Sequence, residues 1–229
     1  PPRPQKAIAS SAMDYSEALE KNFGHSTFRD GQKEVIDSIL ADRSALAIFP
    51  TGGGKSLCYQ LPALLLDGLT LVVSPLIALM KDQVDTLVAK GISAARLDST
   101  LSADEAISLY QRLENGDFKL LYVAPERLAN EKFRARLAKI KLALLAIDEA
   151  HCISEWGHNF RPDYLKLTRF ADELKIPRIL CLTATATPKV AEDICRYFSI
   201  QKEDHHQELP ASKIKHMAKK NKLPQKFQR

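Results

Sequence analysis

Short apolar runs recur along the chain, and each has the length of a buried strand. They occupy residues 45–49, 70–73, 93–97, 119–123, 143–147 and 179–183. Between these runs, apolar residues recur at the spacing of amphipathic helices. This spacing predicts helices at residues 15–23, 31–40, 55–66, 76–90, 103–115, 131–140, 164–174 and 188–198. Strands that alternate with helices favour right-handed crossovers and an α/β fold, in which helices cover both faces of a mainly parallel sheet.

The alternating pattern extends over residues 12–200 and predicts one α/β domain. A proline-rich stretch, residues 1–11, precedes it, and we expect this stretch to be flexible. Residues 201–229 are polar and rich in Lys, His and Gln, which predicts a flexible basic tail. This tail holds eight Lys or Arg residues against three Asp or Glu, which accounts for the net charge of +5. A DNA-binding arm, a nuclear-targeting stretch and a solvated end all fit such a composition.

The composition excludes several classes of protein. With 45% hydrophobic and 27% charged residues, the chain has a globular balance rather than that of a disordered or collagenous protein. Its four cysteines are isolated, so neither a zinc site nor a disulfide framework is indicated, and a reducing intracellular compartment is expected. The most apolar stretch, residues 61–80, is interrupted by Pro, Asp and Gly, which argues against a membrane span.

The loop after the first predicted strand carries a phosphate-binding pattern, FPTGGGKS, at residues 49–56. Glycines let the backbone turn its N–H groups toward a phosphate, and the following helix points its positive end at the same place. Lys55 is expected to reach the β and γ phosphates of a nucleotide, and the Ser56 hydroxyl to coordinate Mg²⁺. The predicted nucleotide contacts in this loop are Thr51, Gly52, Gly53, Gly54, Lys55 and Ser56. A flexible surface turn is the alternative.

Two adjacent carboxylates, Asp148 and Glu149, follow the strand predicted at residues 143–147. Because the carboxyl ends of parallel strands share one edge of the sheet, we expect them near the loop at residues 49–56. There Asp148 would hold Mg²⁺, and Glu149 would polarise the water that attacks the γ-phosphate. A helix N-terminal cap is the alternative for two such acids. The loop and the carboxylates together predict a nucleoside triphosphatase.

Several segments resemble the RecQ family of superfamily 2 DNA helicases. Residues 148–151 read DEAH, as in the family's DEAH box, and residues 152–164, CISEWGHNFRPDY, are similar to its aromatic-rich loop. Further similar segments, in family order, lie at residues 23–32, 74–83, 122–128 and 182–187. The resemblance covers about residues 20 to 200 and implies a RecA-like P-loop NTPase domain, the first of two in such a motor.

The resemblance also implies roles for individual residues. The implied catalytic set is Lys55, Asp148, Glu149 and His151. Phe28, Arg29 and Gln32 would bind the adenine base, since the amide of Gln32 both donates and accepts hydrogen bonds. The start of an ordinary amphipathic helix explains Gln32 equally well. Thr183 and Thr185 would link the nucleotide site to the DNA site through hydroxyl bonds to the DEAH segment, and a plain polar turn is the alternative.

DNA contacts are implied along the same edge of the sheet. Aromatic rings stack on bases of any identity, while hydroxyl and basic groups grip the phosphate backbone. The implied DNA-binding residues are Ser74, Ser99, Thr100, Arg127, Trp156, His158, Phe160 and Arg161. Some of the aromatic rings could instead fill the core, and for Tyr164 the two interpretations stand equally. The expected partner is single-stranded or tailed duplex DNA.

We therefore expect the ATP-binding and hydrolysing motor domain of a RecQ-like DNA helicase, with ATP and Mg²⁺ as cofactors and a role in unwinding, repair and recombination. The sequence holds no second P-loop and no Gln-x-x-Gly-Arg-x-Gly-Arg pattern. A second RecA-like domain then has to come from the rest of the native chain or in trans, and the isolated chain is expected to have low activity. The alternatives are a nucleotide-gated DNA-binding module without turnover, and a small P-loop kinase or GTPase. We expect such a motor in the cytoplasm, at a bacterial nucleoid, or in a nucleus.

Overall fold

The computed structural model describes residues 15–157 and 159–207. The expected flexible N-terminus, residues 1–11, lies outside the described residues, as do His158 and the tail beyond residue 207. The predictions made for these parts stay predictions.

One seven-stranded sheet forms the centre of the described chain, with the strand order β3-β4-β2-β5-β6-β1-β7. Its strands are β1 (Ala45–Ile48), β2 (Leu69–Val73), β3 (Ala94–Leu97), β4 (Leu120–Val123), β5 (Leu142–Ile147), β6 (Ile179–Thr183) and β7 (His205–Gln207). Every neighbouring pair is parallel. The predicted α/β fold with a mainly parallel sheet is confirmed.

In the described residues, eight α-helices connect and flank the strands. They are α1 (Ser16–Phe23), α2 (Gln32–Leu40), α3 (Leu57–Leu65), α4 (Ile77–Ala89), α5 (Ala103–Glu114), α6 (Glu131–Leu137), α7 (Pro162–Glu173) and α8 (Pro188–Tyr197). Short 3₁₀ helices lie at Pro125–Ala129, Ala150–Ile153 and Lys202–Asp204. Among the described residues, no helix is long and apolar enough to cross a bilayer.

The sheet is buried on both faces, as continuous apolar strands require. Along β1, Leu46 and Ile48 belong to the core on one face, while Ala45 and Ala47 belong to the core on the other. Helices α5, α6, α7 and α8 cover the first face, and α1, α2, α3 and α4 cover the second. Helices on both faces leave the carboxyl ends of the strands open, and the functional loops lie there.

The sheet continues beyond the boundary expected at Ile200. Strand β7 pairs with β1, with His205 opposite Leu46 and Gln207 opposite Ile48. An edge strand of this kind pairs through its main chain, so its polar side chains give no apolar pattern to detect. The buried carboxylate of Asp204 secures it, because Oδ1 accepts hydrogen bonds from Ser38 Oγ at 2.8 Å and from Arg43 Nε at 3.0 Å.

Helix α3 begins at Leu57, two residues later than expected. Turns occupy the preceding residues, where the Gly53 amide donates to the Pro50 carbonyl at 2.9 Å and the Leu57 amide to the Gly54 carbonyl at 3.2 Å. The glycine-rich segment therefore stays a loop up to the helix start.

Candidate functional site

A cavity of about 770 Å³ lies at the carboxyl ends of β1, β2 and β5. It brings together most of the residues predicted to act on a nucleotide. Those that line it are Arg29, Gln32, Thr51, Gly52, Gly54, Lys55, Ser56, Asp148 and Glu149. Ser74, which was predicted to contact DNA, lines it as well. Three segments far apart in sequence thus meet at one place: the start of α2, the glycine-rich loop, and the residues after β5.

Gly53, Phe28 and His151 are not among the residues that line this cavity. The ring of Phe28 packs edge-on against Tyr15, with the ring centroids 6.0 Å apart. His151 lies behind Glu149, as described below.

The glycine-rich loop holds a conformation that glycine favours. Gly52 and Gly54 have φ angles of 78° and 75°, in the left-handed region. A Cβ at Gly54 would also collide with Nε2 of Gln32. The ammonium of Lys55 donates to the carbonyl of Phe49 at 3.1 Å and to that of Pro50 at 3.4 Å. The lysine therefore lies folded over its own loop, with main-chain acceptors that a phosphate can replace.

Arg29 and Gln32 bind the loop from the side of α2. The buried Gln32 amide donates to the Gly54 carbonyl at 3.0 Å, and its Oε1 accepts from the Arg29 main-chain N–H at 2.8 Å. The guanidinium of Arg29 donates to the carbonyl of Gly52. Both ends of the glutamine amide are thus engaged with the protein, which ties the start of α2 to the loop.

Asp148 is held at the end of β5 by bonds to both of its carboxylate oxygens. Its Oδ1 accepts from the Glu149 N–H at 3.0 Å, and its Oδ2 accepts from the Ser74 hydroxyl at 3.3 Å. Burial, and then the neighbouring Glu149 carboxylate, raise the pKa of Asp148 above its ordinary value. A cation beside Asp148 would lower the pKa of this carboxyl again.

Glu149 lies in the left-handed region, with φ 50° and ψ 41°, although it is not a glycine. Its Oε2 lies 3.1 Å from Nδ1 of His151, and that nitrogen also lies 2.9 Å from Oγ1 of Thr183. The Thr183 hydroxyl donates its only proton to the Thr185 carbonyl at 2.9 Å, so toward His151 it can only accept. The proton therefore lies on Nδ1 of His151, which donates it to Thr183 and Glu149. The strained turn aims the carboxylate at this imidazole.

Glu149 and His151 stabilise each other's charged forms. The hydrogen bond from His151, and then its charge, lower the pKa of Glu149. Contacts with the Cys152 thiol, and then with Glu149, raise the pKa of His151 to about 9. The pair therefore stays ionised at neutral pH. The predicted hydroxyl link to the DEAH segment is present at Thr183, whereas Thr185 contributes its carbonyl rather than its hydroxyl.

Oxygen ligands for a divalent cation face the same cavity. Ser56 and Asp148 both line it, and a hydroxyl with a carboxylate is a donor set that suits Mg²⁺. Among the described residues, no group of three or more His, Cys, Asp or Glu side chains is placed to hold a metal ion. Two protein oxygens fit Mg²⁺, because this ion keeps waters and phosphate oxygens as its other ligands.

A second cavity, of about 460 Å³, lies at the carboxyl ends of β3 and β4. Ser99 and Arg127, both predicted to contact DNA, line it. Thr100 is exposed beside it and donates through its hydroxyl to Asp98 Oδ1 at 2.6 Å. Ser74 does not belong to this group, because it is buried in the first cavity against Asp148.

Among the described residues of the aromatic-rich loop, Trp156 presents its ring to solvent. Trp156 is 73% exposed, while Phe160 and Arg161 are half-buried. Tyr164 is fully buried, and its hydroxyl donates to the Asp148 carbonyl at 2.9 Å. Of the two interpretations of Tyr164, the structure therefore supports the core residue.

Sequence reasoning missed several buried polar residues around these sites. Burial opposes ionisation of Asp98, but hydrogen bonds from Thr100 and Arg96 lower its pKa. Gln60 lines the first cavity and donates to Gln83 at 2.7 Å. Gln60 and Gln83 are 23 positions apart, so no local pattern marks that pair. The partners of Asp98 are two residues away on either side, but three polar residues at the end of a strand are not distinctive by themselves.

Comparison with known proteins agrees with this geometry. Residues 29–194 match the family model described as DEAD/DEAH box helicase. The chain is 52% identical over 188 residues to the ATP-dependent DNA helicase RecQ of Bacillus subtilis, which covers 81% of this chain and 32% of that protein. It is 46% identical over 194 residues to the ATP-dependent DNA helicase RecQ of Pasteurella multocida, covering 85% of this chain and 30% of that one. The chain thus spans about a third of the length of these curated relatives.

Solved structures share the fold at low sequence identity. A DUF1998 helicase MrfA bound to DNA matches with a TM-score of 0.66 and 18% identity, over 90% of this chain and 28% of that one. A hypothetical ATP-dependent RNA helicase from Sulfolobus tokodaii matches with a TM-score of 0.65 and 19% identity, over 86% of this chain and 57% of that one. The family model covers well over half of the sequence, and so this chain belongs to the DEAD/DEAH box helicases.

Proposed function

We propose that this chain is the ATP-binding and hydrolysing motor domain of a RecQ-like DNA helicase. The observation that carries the proposal is the convergence of Lys55, Asp148 and Glu149 on one cavity at the carboxyl edge of the sheet. A phosphate-binding loop opposite two carboxylates suits hydrolysis of a nucleoside triphosphate. The similarity to proteins named RecQ over most of this chain points to DNA as the polymer on which it acts.

In the proposed mechanism, Lys55 exchanges its carbonyl partners on Phe49 and Pro50 for phosphate oxygens of ATP. Ser56 and Asp148 would hold Mg²⁺, and the ion would supply positive charge to neutralise the phosphates. The main-chain N–H groups of Thr51 and of the three glycines at residues 52–54 would bind the same phosphates, and Gly53 would have to release its hydrogen bond to the Pro50 carbonyl.

Glu149 orients and polarises the attacking water. Its low pKa keeps it ionised, as an acceptor for a water proton has to be. The imidazole of His151 fixes the carboxylate from behind, and Thr183 fixes the imidazole. His151 therefore acts through Glu149 and links it to the end of β6.

Adenine binding is proposed for Phe28, Arg29 and Gln32. Arg29 and Gln32 bond the glycine-rich loop, so the base contacts and the phosphate contacts would form together. For Gln32 to contact the base, its amide has to exchange one of its present partners.

Single-stranded or tailed duplex DNA is the proposed partner along the exposed carboxyl edge. Ser99, Thr100 and Arg127 surround the second cavity, and Trp156 offers an exposed ring for stacking on a base. The other proposed contacts are His158, Phe160 and Arg161. A second RecA-like domain, from the rest of the native chain or in trans, would close the ATP cavity and grip the DNA in alternation. Unwinding during repair and recombination follows from this proposal, as does a location with DNA, at a bacterial nucleoid or in a nucleus.

The test is a single-turnover experiment on the purified chain with ATP, Mg²⁺ and single-stranded DNA. The proposal expects slow phosphate release that DNA accelerates and that Glu149→Gln abolishes. A nucleotide-gated binding module would bind ATP and DNA without releasing phosphate, which would contradict the proposal. Equal competition by GTP would favour a P-loop GTPase instead.

A further inference from the structure

Two buried polar side chains, Ser154 and Asp193, meet outside the nucleotide cavity. They are 1% and 4% exposed, and the Ser154 hydroxyl donates to Oδ2 of Asp193 at 2.8 Å. A hydroxyl–carboxylate hydrogen bond away from water is of the strong, charge-assisted kind. The mechanism proposed above uses neither residue.

Ser154 forms the base of the aromatic-rich loop. Its Oγ accepts a hydrogen bond from the Trp156 N–H at 3.2 Å, and its carbonyl accepts from the Gly157 N–H at 2.9 Å. A Cβ at Gly157 would lie 2.7 Å from the His151 carbonyl, so the backbone is closely packed here. The hydroxyl of Ser154 therefore joins the exposed Trp156 to Asp193 by two consecutive hydrogen bonds.

Asp193 is fixed from its other side as well. Its Oδ1 lies 3.2 Å from the Arg196 guanidinium and 3.3 Å from the Lys189 ammonium, both on the same helix α8. These two cations occupy one carboxylate oxygen and leave Oδ2 for Ser154. The carboxylate thus has partners on both oxygens, as a buried charge requires.

The bond makes a second connection between the same two segments of the chain. The first is the contact between His151 and Thr183, which joins the DEAH segment to the end of β6. Helix α8 follows β6 after a short turn, and Asp193 lies on that helix. The DEAH segment and the aromatic-rich loop are therefore held to β6 and α8 at two points, one behind Glu149 and one beneath Trp156.

We propose that the Ser154–Asp193 bond is the anchor that fixes Trp156 relative to helix α8. A base that stacks on Trp156 then acts on β6 in a transmission step. From β6 the effect passes through Thr183 to His151 and Glu149. Ser154 and Asp193 are positioning residues in this proposal, since they act through Trp156. The transmission step rests on the proposed DNA-binding function of the loop, whereas the anchor itself does not.

Fluorescence tests the anchor directly, because Trp156 is the only tryptophan in the chain. Ser154→Ala and Asp193→Ala are each expected to lower the steady-state anisotropy of Trp156 and to raise its quenching by acrylamide. The double variant is expected to lose no more anisotropy than either single variant, since both remove the same bond. Far-UV circular dichroism and the midpoint of thermal unfolding show whether each variant is folded, and Ser154→Ala alone suffices if Asp193→Ala does not fold.

Two control variants separate the anchor from general effects. Arg196→Ala removes a cation from Oδ1 of Asp193 but keeps the Ser154 bond. Ser102→Ala removes a serine cap from the start of α5, which is not part of the anchor. Both are expected to leave the anisotropy of Trp156 unchanged. Unchanged anisotropy in folded Ser154→Ala as well would overturn the anchor.

The transmission step is tested by the ratio of ATP-analogue affinities with and without oligothymidine. In the original chain, DNA is expected to change the affinity for the ATP analogue by about tenfold, the usual size of a coupling between sites. In Ser154→Ala the ratio of the two affinities is expected to be close to one. A Ser154→Ala chain with the original ratio would overturn the transmission while the function stands. A ratio of one in the original chain would overturn the proposed DNA-coupled function, and the transmission step with it.

Discussion

The hydroxyl of Ser74 donates a hydrogen bond to Oδ2 of Asp148 at 3.3 Å, across the carboxyl ends of β2 and β5. Ser74 was expected among the DNA contacts, yet it is only 3% exposed and faces the carboxylate proposed to bind Mg²⁺. Its position makes it a partner of the proposed metal ligand.

Ser74→Ala is expected to weaken Mg²⁺-dependent binding of an ATP analogue. Loss of a hydrogen bond to a ligating carboxylate typically costs on the order of 10-fold in metal affinity, because the ligand is then free to rotate. Titration of Mg²⁺ at fixed analogue concentration measures the effect. Ser99→Ala is the matched control, since Ser99 lines the second cavity and its loss should reduce DNA affinity instead. The reverse pattern in the two variants would place Ser74 on the DNA.

Lys55→Ala and Glu149→Gln are expected to separate binding from turnover. Lys55 is proposed to contact phosphate in the ground state, so its removal should weaken ATP binding. Glu149 is proposed to act mainly on the attacking water, so the glutamine variant should bind ATP normally and hydrolyse it far more slowly. Equilibrium binding of a labelled ATP analogue, together with phosphate release, measures both. Equal losses of affinity would remove Glu149 from the water-activating role.

Trp156 emission is expected to change when single-stranded DNA is added. The indole is exposed, and stacking on a base would quench or shift its fluorescence. Trp156→Ala should bind the ATP analogue as before but lose the acceleration of phosphate release by DNA. The loop would have no DNA-binding role if Trp156 emission did not change with DNA and if DNA still stimulated phosphate release by Trp156→Ala.

Stability is expected to fall below about pH 6.5 in part because of His205 on the edge strand β7. Burial lowers the pKa of His205, and its Nε2 is buried without a hydrogen-bond partner. As the pH drops through the ordinary histidine value, the unfolded chain takes up the proton first, so unfolding becomes more favourable until the folded pKa is passed. Urea unfolding at pH 7.5 and 5.5 is the measurement.

His205→Gln is expected to reduce that pH dependence, whereas His25→Gln, at an exposed position, should keep it. A pH dependence that is the same in all three chains would mean that other groups control it.

The 229-residue chain alone is expected not to separate DNA strands. The loss of an arginine supplied from a second domain typically lowers turnover by about 10³- to 10⁵-fold, and translocation needs two grips that alternate. A strand-displacement assay on a tailed duplex with ATP measures this directly. Weak, salt-sensitive binding to single strands is expected, carried in part by the lysines at residues 213–226, which lie outside the described residues. Robust unwinding would indicate that a second copy supplies the missing wall.

Elements that neighbouring residues mark by a local pattern could be predicted from the sequence. Contacts between residues far apart in the sequence could not. The strands, the glycine-rich loop and the DEAH segment each have a local pattern, and the structure contains all of them. Strand β7 has no such pattern, because a polar edge strand pairs through its main chain. The bond from Ser154 to Asp193 joins residues 39 positions apart, and neither position is unusual by itself.

The role of Ser74 could not be predicted from the sequence for a further reason, which is the order of the strands. It follows a buried strand at the carboxyl edge, where residues for nucleotide and for DNA both lie, and the sequence does not say toward which side the hydroxyl turns. Strand order decides this, because β2 is the direct neighbour of β5 in the sheet. The order of parallel strands cannot be read from local periodicity.

The left-handed backbone at Glu149 makes this position a compromise between folding and chemistry. A non-glycine residue in that region costs roughly 1 kcal/mol or more, and glycine would avoid the cost. Glycine at this position would remove the backbone cost, but it would also remove the carboxylate that pairs with His151. The backbone at Glu149 thus has a cost that only an interaction of its carboxylate can offset.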